Sequence, residues 1–375
     1  MVDADKLKYW VGFNIIQGIG PTRVRRLLNH FGDLAVAWAA PPLDLAAAGL
    51  DRRGIENMVA GRARIDLDAE MDKMTRQGIS ALTWEDEAYP RLLRPIPAAP
   101  PVLYVRGSLT SQDDWAVAVV GTRRATTYGR EAAADLAGAL AHNRITVVSG
   151  LARGIDGIAH RAALDAGGRT IAVLGCGLDV VYPPEHARLA RDIISSGALV
   201  SDYPLGTQPE ARNFPPRNRI ISGLALGVLV VEGAQDSGSM ITADYALEQG
   251  RDVFAVPGTI FSPRSQGTNR LIQQGAKMVT SVQDILEELN LTQASQQMEV
   301  RSLIPDNPTE AALLAHLSTE PRHMDEIVRE TGLATADVSA TLAMMELKGM
   351  VRQVGSMTYV LARDVGVNYH LESVE

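Results

Sequence analysis

Residues 116–124, AVAVVGTRR, decide the fold class of this 375-residue chain. The run Ala116–Val120 is apolar at every position, which is typical of a strand buried on both faces of a sheet. Gly121 follows at once, and residues 128–141 then have the apolar spacing of a helix. Strand, glycine turn and helix recur in this order to about residue 256. The repetition predicts an α/β fold, Rossmann-like, with a parallel sheet and ligands at the carboxyl ends of its strands.

The predicted sheet domain covers residues 76–290. It begins with a proline-rich connector, 76–112, which contains a short strand at 102–105. Prolines cannot occupy a helix interior, so the connector is expected to wrap onto the sheet without long helices. The other apolar runs predict strands at 145–149, 170–174, 199–201, 227–231 and 253–256, with helices at 155–166, 184–195 and 240–248.

Two smaller regions flank the sheet. Residues 1–75 have helical patterns around Gly18-Ile19-Gly20-Pro21, which predicts a SAM-like or helix–hairpin–helix-like domain. Such a hairpin either presents backbone amides to a phosphate or only packs its helices, and the sequence leaves both open. A polar linker, 291–306, precedes a predicted winged helix with its tail, 307–375. Its expected helices are 308–317, 324–331 and 336–349, and its hairpin strands are 351–354 and 359–361.

The third helix of the predicted winged helix reads ADVSATLAMMELK over residues 336–348. A helix that reads the major groove of DNA needs basic and polar side chains toward the bases. This one has two acidic residues and a single lysine near its end. The composition therefore favours protein contact or simple packing over DNA reading by this helix.

Composition limits the classes of function. The net charge is −8, which argues against coating duplex DNA through bulk electrostatics but not against a local positive groove. Of the 36 basic residues, all but five are arginine, whose planar fork suits phosphate, although genomic base composition gives the same bias. The single cysteine excludes an internal disulfide and a cysteine-based zinc cluster. No secretion signal or membrane-spanning run is visible, so we expect a soluble, cytoplasmic protein.

The segment FPPRNRII, residues 214–221, concentrates an aromatic ring, two arginines and an asparagine. Guanidinium groups beside an aromatic ring suit a phosphate backbone with an unstacked base. The alternative is a proline-stiffened loop that enters a strand and leaves its arginines in solvent. The segment alone does not decide between these interpretations.

Three predicted strand ends carry small residues that suit anions. They are Gly121-Thr122-Arg123, the run SGLARGID at 149–156, and Ser237-Gly238-Ser239 at the start of a helix. No G-x-G-x-x-G fingerprint and no P-loop is present, which disfavours an NAD enzyme or a P-loop ATPase. Several anion sites along one sheet edge describe a polyphosphate track better than an active site.

A catalytic set is not evident in the sequence. Asp156 and His160 lie four residues apart on one predicted helical face, where they pair as acid and base, bind a metal, or serve only the helix and its packing. We favour the last interpretation, because no third ligand or nucleophile has convincing spacing. Ser237 lies in DSGSM, a poor match to the G-x-S-x-G elbow of a nucleophilic serine.

The motifs GTR (121–123), SGLARGIDGIAH (149–160), GCGLDVVYP (175–183), FPPRNRIISGL (214–224), EGAQDSGSMITA (232–243) and FAVPG (254–258) closely resemble the DNA processing protein A family, DprA or Smf. The resemblance implies a protein that binds single-stranded DNA through an extended Rossmann-like domain. It also implies loading of the RecA recombinase and protection of incoming DNA in natural transformation. It implies neither a nucleotide cofactor nor catalysis.

The resemblance also implies roles for individual residues. Arg123 grips phosphate, Phe214 meets a base, and Arg217 and Arg219 line the same pocket. The floor and the rest of the predicted DNA-binding set are Gly121, Thr122, Ser149, Gly150, Arg153, Asn218, Ser237, Gly238 and Ser239. A homodimer is implied through residues 267–279, where Ile272 and Met278 offer an apolar face.

One position departs from the family pattern. Members often place a lysine after the Tyr-Pro of the third motif, whereas Pro184-Glu185 follows Tyr182-Pro183 in this chain. We expect one basic contact to be missing, with Arg188, Arg191 or Arg212 as candidate replacements.

Two rival functions remain open at the level of sequence. One is a nucleotide hydrolase resembling the cytokinin-activating phosphoribohydrolases. Their P-G-G-x-G-T-x-x-E motif is absent, and its nearest match is PGTIF at 257–261. The other is an adaptor that binds proteins through its winged helix.

Overall fold

The computed structural model describes residues 4–291, 307–318, 321–347, 350–355 and 357–361. Its contacts divide the chain into two compact units, Met1–Leu289 and Asn290–Glu375. The predicted linker, apart from Leu291, and the tail 362–375 lie outside the described residues.

A nine-stranded sheet organises the first unit, and its spatial order is β1-β2-β6-β5-β4-β3-β7-β8-β9. The strands are β1 (Ile79–Thr83), β2 (Val102–Gly107), β3 (Ala116–Val120), β4 (Thr146–Ser149), β5 (Thr170–Val173), β6 (Ala198–Ser201), β7 (Gly227–Val230), β8 (Asp252–Ala255) and β9 (Lys277–Met278).

The strands from β3 to β9 pair in parallel, whereas β1 and β2 add an antiparallel edge beside β6. Every residue of β3 is buried, as expected for a central strand covered on both faces. In the register, Val117 lies between Val147 of β4 and Gly227 of β7. The chain adds strands to one side of β3 first and then to the other, which creates a switch point between β3 and β7.

Helices cover the sheet and are α7 (Thr127–His142), α8 (Ile155–Asp165), α9 (Ala187–Ser196), α10 (Phe214–Gly223), α11 (Gly238–Glu248), α12 (Gln266–Gln273) and α13 (Val282–Glu288). Helices α7 and α11 begin at side-chain caps from Thr126 and Ser237, whose oxygens accept backbone N–H groups of the first turn. Both helices therefore start at the edge where β3 and β7 end.

The segment FPPRNRII forms the helix α10, so its interpretation as a loop entering a strand is wrong. Pro215 and Pro216 lie in the first turn, where a helix needs no backbone N–H donor, and so they start the helix and do not break it. The side chains of this segment consequently point in directions set by the helical period, so its two arginines lie on different sides of α10.

The amino-terminal region is helical as predicted, with α1 (Ala4–Ile15), α2 (Pro21–Phe31), α3 (Leu34–Ala39), α4 (Pro42–Ala47), α5 (Arg52–Arg62) and α6 (Leu67–Arg76). Pro21 starts α2, and its Val24 and Leu27 are buried. One hydrophobic cluster joins Trp10 and Leu27 to Tyr104 and Leu199 of the sheet. The sequence boundary at 75/76 therefore lies inside a continuous core.

The second unit is a winged helix with α14 (Pro308–His316), α15 (Met324–Thr331) and α16 (Thr335–Leu347). Its three-stranded sheet has the order β10 (Arg322–His323), β12 (Thr358–Leu361), β11 (Val351–Gly355). Leu313, Ile327 and Leu342 bring the three helices into one core. The predicted fold class is confirmed in both units. Among the described residues, no helix combines the length and apolar character needed to cross a membrane.

Candidate functional site

A cleft of about 860 Å³ lies at the carboxyl ends of β3 and β7, at the switch point of the sheet. Open α/β sheets bind ligands at this place because loops on the two sides diverge and leave a crevice. Its lining includes the predicted residues Gly121, Thr122, Arg123, Phe214, Arg217, Asn218, Ser237, Gly238 and Ser239. The structure therefore brings together residues from three separate motifs of the sequence.

The loop after β3 is held by backbone hydrogen bonds to its neighbours. Thr122 N donates to the carbonyl oxygen of Glu232 at 2.7 Å, and Ile155 N donates to the carbonyl oxygen of Thr122 at 3.2 Å. This support leaves the side chains of Arg123 and Arg124 exposed at the mouth of the cleft. Neither makes an ion pair with any residue that the structure describes, so both charges are available to an anion.

An aromatic pair adjoins these arginines. The rings of Tyr182 and Phe214 lie 5.7 Å apart, centroid to centroid, with 35° between their planes. The guanidinium carbon of Arg123 lies 5.4 Å from the centroid of the Phe214 ring. A cation and a stacking surface thus lie no farther apart than the length of one nucleotide. Proteins that bind single-stranded nucleic acid combine these two features.

Arg217 lies at the edge of the cleft but is only 3% exposed. Its Nη1 donates to the carbonyl oxygens of Gly150, at 2.8 Å, and Val173, which end β4 and β5. A Cβ at residue 150 would collide with this guanidinium, so only glycine fits there. Burial lowers the pKa of Arg217, and the nearby Asp156 opposes that shift. Arg217 therefore joins two strand ends and has little surface for a ligand.

Arg219 does not line the cleft, contrary to prediction. Its Nη2 lies 2.7 Å from Oδ2 of Asp202, and its Nε donates to the carbonyl oxygen of Ala98 at 3.0 Å. The reason is the helical period of α10: residues two apart point roughly 200° away from each other around the axis. Arg217 and Arg219 therefore cannot share one pocket.

Three other predicted residues also lie away from the cleft lining. Ser149 is fully buried and donates from Oγ to the carbonyl oxygen of Val119 at 2.6 Å, and Gly150 lies under Arg217. The guanidinium of Arg153 pairs with the carboxylate of Glu185. The prediction that Ser149 and Gly150 form the floor of the pocket is wrong, because neither lines the cleft and both serve the packing of strand ends.

Pro184 and Glu185 follow Tyr182-Pro183 where the family often has a lysine, and the carboxylate of Glu185 pairs with Arg153. None of the three candidate replacements lines the cleft. Arg188 and Arg191 are exposed on α9, and Arg212 pairs with Glu210 at 2.7 Å. None of these arginines therefore replaces the missing basic contact in the cleft.

The start of α11 forms the opposite wall. Ser237 Oγ accepts the backbone N–H of Ser239 at 3.4 Å and lies 2.8 Å from the hydroxyl of the same residue. Asn218 donates from Nδ2 to the carbonyl oxygen of Gly238 at 3.2 Å, which ties α10 to α11. The amino end of a helix attracts anions because its first N–H groups lack helical partners.

Among the lining residues that were not predicted as site residues, three have side chains suited to DNA. Arg264 lies in a 3-10 turn, Pro263–Ser265, where its carbonyl oxygen accepts Gly233 N at 2.7 Å while its side chain is exposed in the cleft. Arg124 and Tyr182 complete the set. Arg124 and Tyr182 were visible beside recognised motifs, whereas Arg264 has no motif and is found only through the topology.

Asp156 and His160 do not form an acid–base pair. His160 is fully buried, and its Nδ1 lies 2.6 Å from Oγ1 of Thr170. Burial lowers the pKa of His160 to about 3, so it is neutral near pH 7. Asp156 Oδ2 accepts the N–H of Ala152 at 3.3 Å, and burial raises the pKa of this carboxyl. Both side chains thus serve the local structure, the interpretation that the sequence favoured.

The residues predicted to form a dimer surface lie at the edge of the sheet beyond β8. Met278 is in the edge strand β9 and is 49% exposed, whereas Ile272 on α12 is partly buried against the sheet core. The two therefore do not contribute equally to an apolar face.

The chain matches the family model for DNA recombination-mediator protein A over residues 80–290, and that for the DprA winged helix domain over residues 297–356. The chain belongs to the DprA family. Protein Smf from Synechocystis is 36% identical over 388 residues, which covers 94% of this chain and 98% of that protein. DNA processing protein DprA from Streptococcus pneumoniae is 48% identical over 203 residues, covering 54% of this chain and 72% of the relative. The resemblance noted from the motifs is confirmed.

Solved structures of the DprA family share the fold. The X-ray structure of DprA from Streptococcus pneumoniae has a TM-score of 0.67 at 38% identity, covering 77% of this chain and 99% of that one. DprA from Helicobacter pylori has a TM-score of 0.51 at 32% identity, covering 56% and 95%. That structure was reported for its unique mode of single-stranded DNA binding.

Proposed function

We propose that this protein binds single-stranded DNA in the cleft at the β3–β7 switch point, as part of DNA processing in natural transformation. The observation that carries the proposal is the contact of the Arg123 guanidinium with the Phe214 ring, inside a cleft at the ligand-binding edge of the sheet. The Helicobacter pylori relative, reported for its binding of single-stranded DNA, supports the same ligand.

Different residues of the cleft bind the phosphate and the base of the DNA. Arg123 and Arg124 have no ion-pair partner among the described residues and attract the phosphodiester backbone, assisted by the amino end of α11. Phe214, backed by Tyr182, offers its face to an unstacked base. Duplex DNA keeps its bases paired and stacked, so it cannot use this aromatic surface. The local charge also explains how a chain of net charge −8 binds a polyanion.

No catalysis and no cofactor are part of the proposal. The described part of the cleft supplies no nucleophile activated by a neighbouring base, and His160 is buried away from it with its pKa lowered to about 3. The rival hydrolase is further disfavoured because Asp156 is engaged by backbone and packing. Release of free base from nucleotide monophosphates by the purified protein would support the enzyme instead.

The family relationship supports three further proposals. The protein loads the RecA recombinase onto the bound strand, acts in the cytoplasm, and forms a homodimer in which Met278 and Ile272 contribute to the interface. A dimer interface at Met278 fits the position of β9 as an exposed sheet edge. Light scattering of the unsubstituted protein and of Met278→Glu measures the dimer, which the substitution is expected to dissociate.

Fluorescence anisotropy with labelled oligo-dT of fifteen nucleotides tests the cleft. Arg123→Ala is expected to weaken binding by roughly 10- to 150-fold, the range for a lost hydrogen bond to a charged group. Arg144→Ala is the matched control, because this exposed arginine precedes β4 at the opposite edge of the sheet. Full affinity in Arg123→Ala, or equal affinity for duplex and single strand in the unsubstituted protein, contradicts the proposal.

A further inference from the structure

The loop between β8 and α12, residues 256–265, has an exposed apolar tip. Phe261 is 88% exposed and its neighbour Ile260 is 78% exposed. Among the residues that the structure describes, Phe261 is the most exposed large hydrophobic side chain. A phenylalanine held almost entirely in water contributes nothing to the core, so an exposed pair of this kind marks a binding surface.

The base of the loop is fixed to the body of the sheet domain. Gly258 N donates to Oδ1 of Asn269 at 3.1 Å, and Asn269 Nδ2 donates back to the carbonyl oxygen of Gly258 at 2.9 Å. Tyr128, in the first turn of α7, donates from its hydroxyl to the carbonyl oxygen of Pro257 at 2.7 Å. The loop therefore presents its tip from an anchored base, beside a tyrosine that is itself half exposed.

The tip is continuous with the cleft through Arg264. This arginine lines the cleft and follows Phe261 by three residues, which places their Cα atoms within about 11 Å of each other. Arg264 makes no ion pair with a residue in the described ranges, and its side chain is exposed to solvent, as is the Phe261 ring. The exposed acid of the cleft, Asp236, is outnumbered by Arg123, Arg124 and Arg264.

We propose that Phe261 is a second base-stacking site for the same strand of DNA, with Arg264 binding the phosphate between it and the cleft. This inference rests on the proposed binding of single-stranded DNA in the cleft. Phe214 lies against Gly175 at the end of β5, and Phe261 follows β8. Four strand spacings separate β5 from β8, which is about 19 Å along the sheet edge.

That separation sets a length requirement for the ligand. Single-stranded DNA with its bases stacked advances about 3.4 Å per nucleotide, so roughly six nucleotides span the two sites, and fewer do so in an extended strand. A dinucleotide occupies the cleft alone. An oligo-dT of fifteen nucleotides reaches both aromatic surfaces, and its affinity includes the contribution of Phe261.

The charge around the tip favours nucleic acid over a protein partner. An exposed aromatic ring three residues from the exposed Arg264 provides a stacking face and a phosphate contact, the two elements that recur in single-strand tracks. An interface with another copy of the chain is the alternative occupant, and it predicts a change in mass when Phe261 is replaced.

Anisotropy with dT15 tests the second site. Phe261→Ala is expected to bind dT15 on the order of tenfold more weakly, as for the loss of one stacked base, while Phe261→Trp retains the affinity. Leu247→Ala is the control, since this exposed leucine ends α11 at the opposite edge of the sheet. Inhibition by dT2, measured by competition at high concentration, is expected to be the same for Phe261→Ala and the unsubstituted protein.

The outcomes separate the two proposals. Loss of affinity in Arg123→Ala with full affinity in Phe261→Ala overturns the second site and leaves the cleft intact. Full affinity in both variants overturns the proposed function itself. A Phe261→Ala protein that binds dT15 normally and changes from dimer to monomer by light scattering assigns the tip to a protein interface and overturns this inference. A circular-dichroism spectrum shared with the unsubstituted protein confirms that each variant is folded.

Discussion

Replacing Arg217 with methionine tests the structural role of this buried arginine. The substitution removes the donor that serves the carbonyl oxygens of Gly150 and Val173, and each buried acceptor left unpaired costs about 1–3 kcal/mol. It also leaves the buried Asp156 without its neighbouring cation. Because Arg217 serves two carbonyl oxygens and is near a buried carboxyl, we expect the free energy of unfolding to fall by about 3 kcal/mol or more.

The loss of stability caused by Arg217→Met is expected to depend on pH. Burial raises the pKa of Asp156, and Arg217 opposes that shift, so removing Arg217 raises the pKa further. A carboxyl with a raised folded-state pKa contributes stability at low pH and loses it as the pH rises through that pKa. The destabilisation by Arg217→Met is therefore expected to be larger at pH 8 than at pH 5.

Urea unfolding followed by tryptophan fluorescence measures this loss. The four tryptophans, Trp10, Trp38, Trp84 and Trp115, all belong to the unit Met1–Leu289, so the signal reports this unit alone. Arg123→Met is the control, because an exposed arginine without an ion pair is expected to change stability by less than about 0.5 kcal/mol. An Arg217→Met protein as stable as the unsubstituted one refutes the structural role.

Three further expectations follow from the same geometry. His160→Asn keeps a donor for Thr170 but removes the buried imidazole, whose pKa is lowered to about 3. A lowered pKa makes the folded state lose stability as the pH falls. From pH 7 to pH 5, paired unfolding curves are therefore expected to show the unsubstituted protein losing about 2 kcal/mol relative to this variant. Gly154→Ala places a Cβ against the carbonyl oxygen of Thr122 at a φ of 75°, so a loss of about 3 kcal/mol and weaker dT15 binding are expected in unfolding and anisotropy assays. Arg264→Ala is expected to reduce the slope of log affinity against log salt by about 0.7, which an unchanged slope would contradict.

The central strands of the sheet could be predicted because burial on both faces leaves an unbroken apolar signal, as in Ala116–Val120. The strand Ile79–Thr83 was missed: it lies at the edge, has an exposed residue at Ser80, and precedes a proline-rich stretch that resembles a connector. The two-residue strand Lys277–Met278 carries no period that a sequence could show.

The site was partly predictable for a related reason. Arg123 and Phe214 were found because each lies in a distinctive motif, and the structure brings them into contact. Arg219 was misplaced because the prolines of FPPRNRII concealed a helix, whose period turns this side chain toward Asp202. Arg264 was missed because its place in the cleft depends on the order of strands, which local sequence does not encode.

Photocrosslinking most directly tests the claim that single-stranded DNA occupies the cleft. The full-length protein is irradiated with an oligo-dT in which 5-iodouracil replaces single thymines, and the adducts are mapped by mass spectrometry. We predict adducts on Phe214 and Tyr182, whose rings lie together at the mouth of the cleft, and their loss in Arg123→Ala. Adducts confined to the helices of residues 4–76 or to the winged helix, with none at the cleft, would contradict the account.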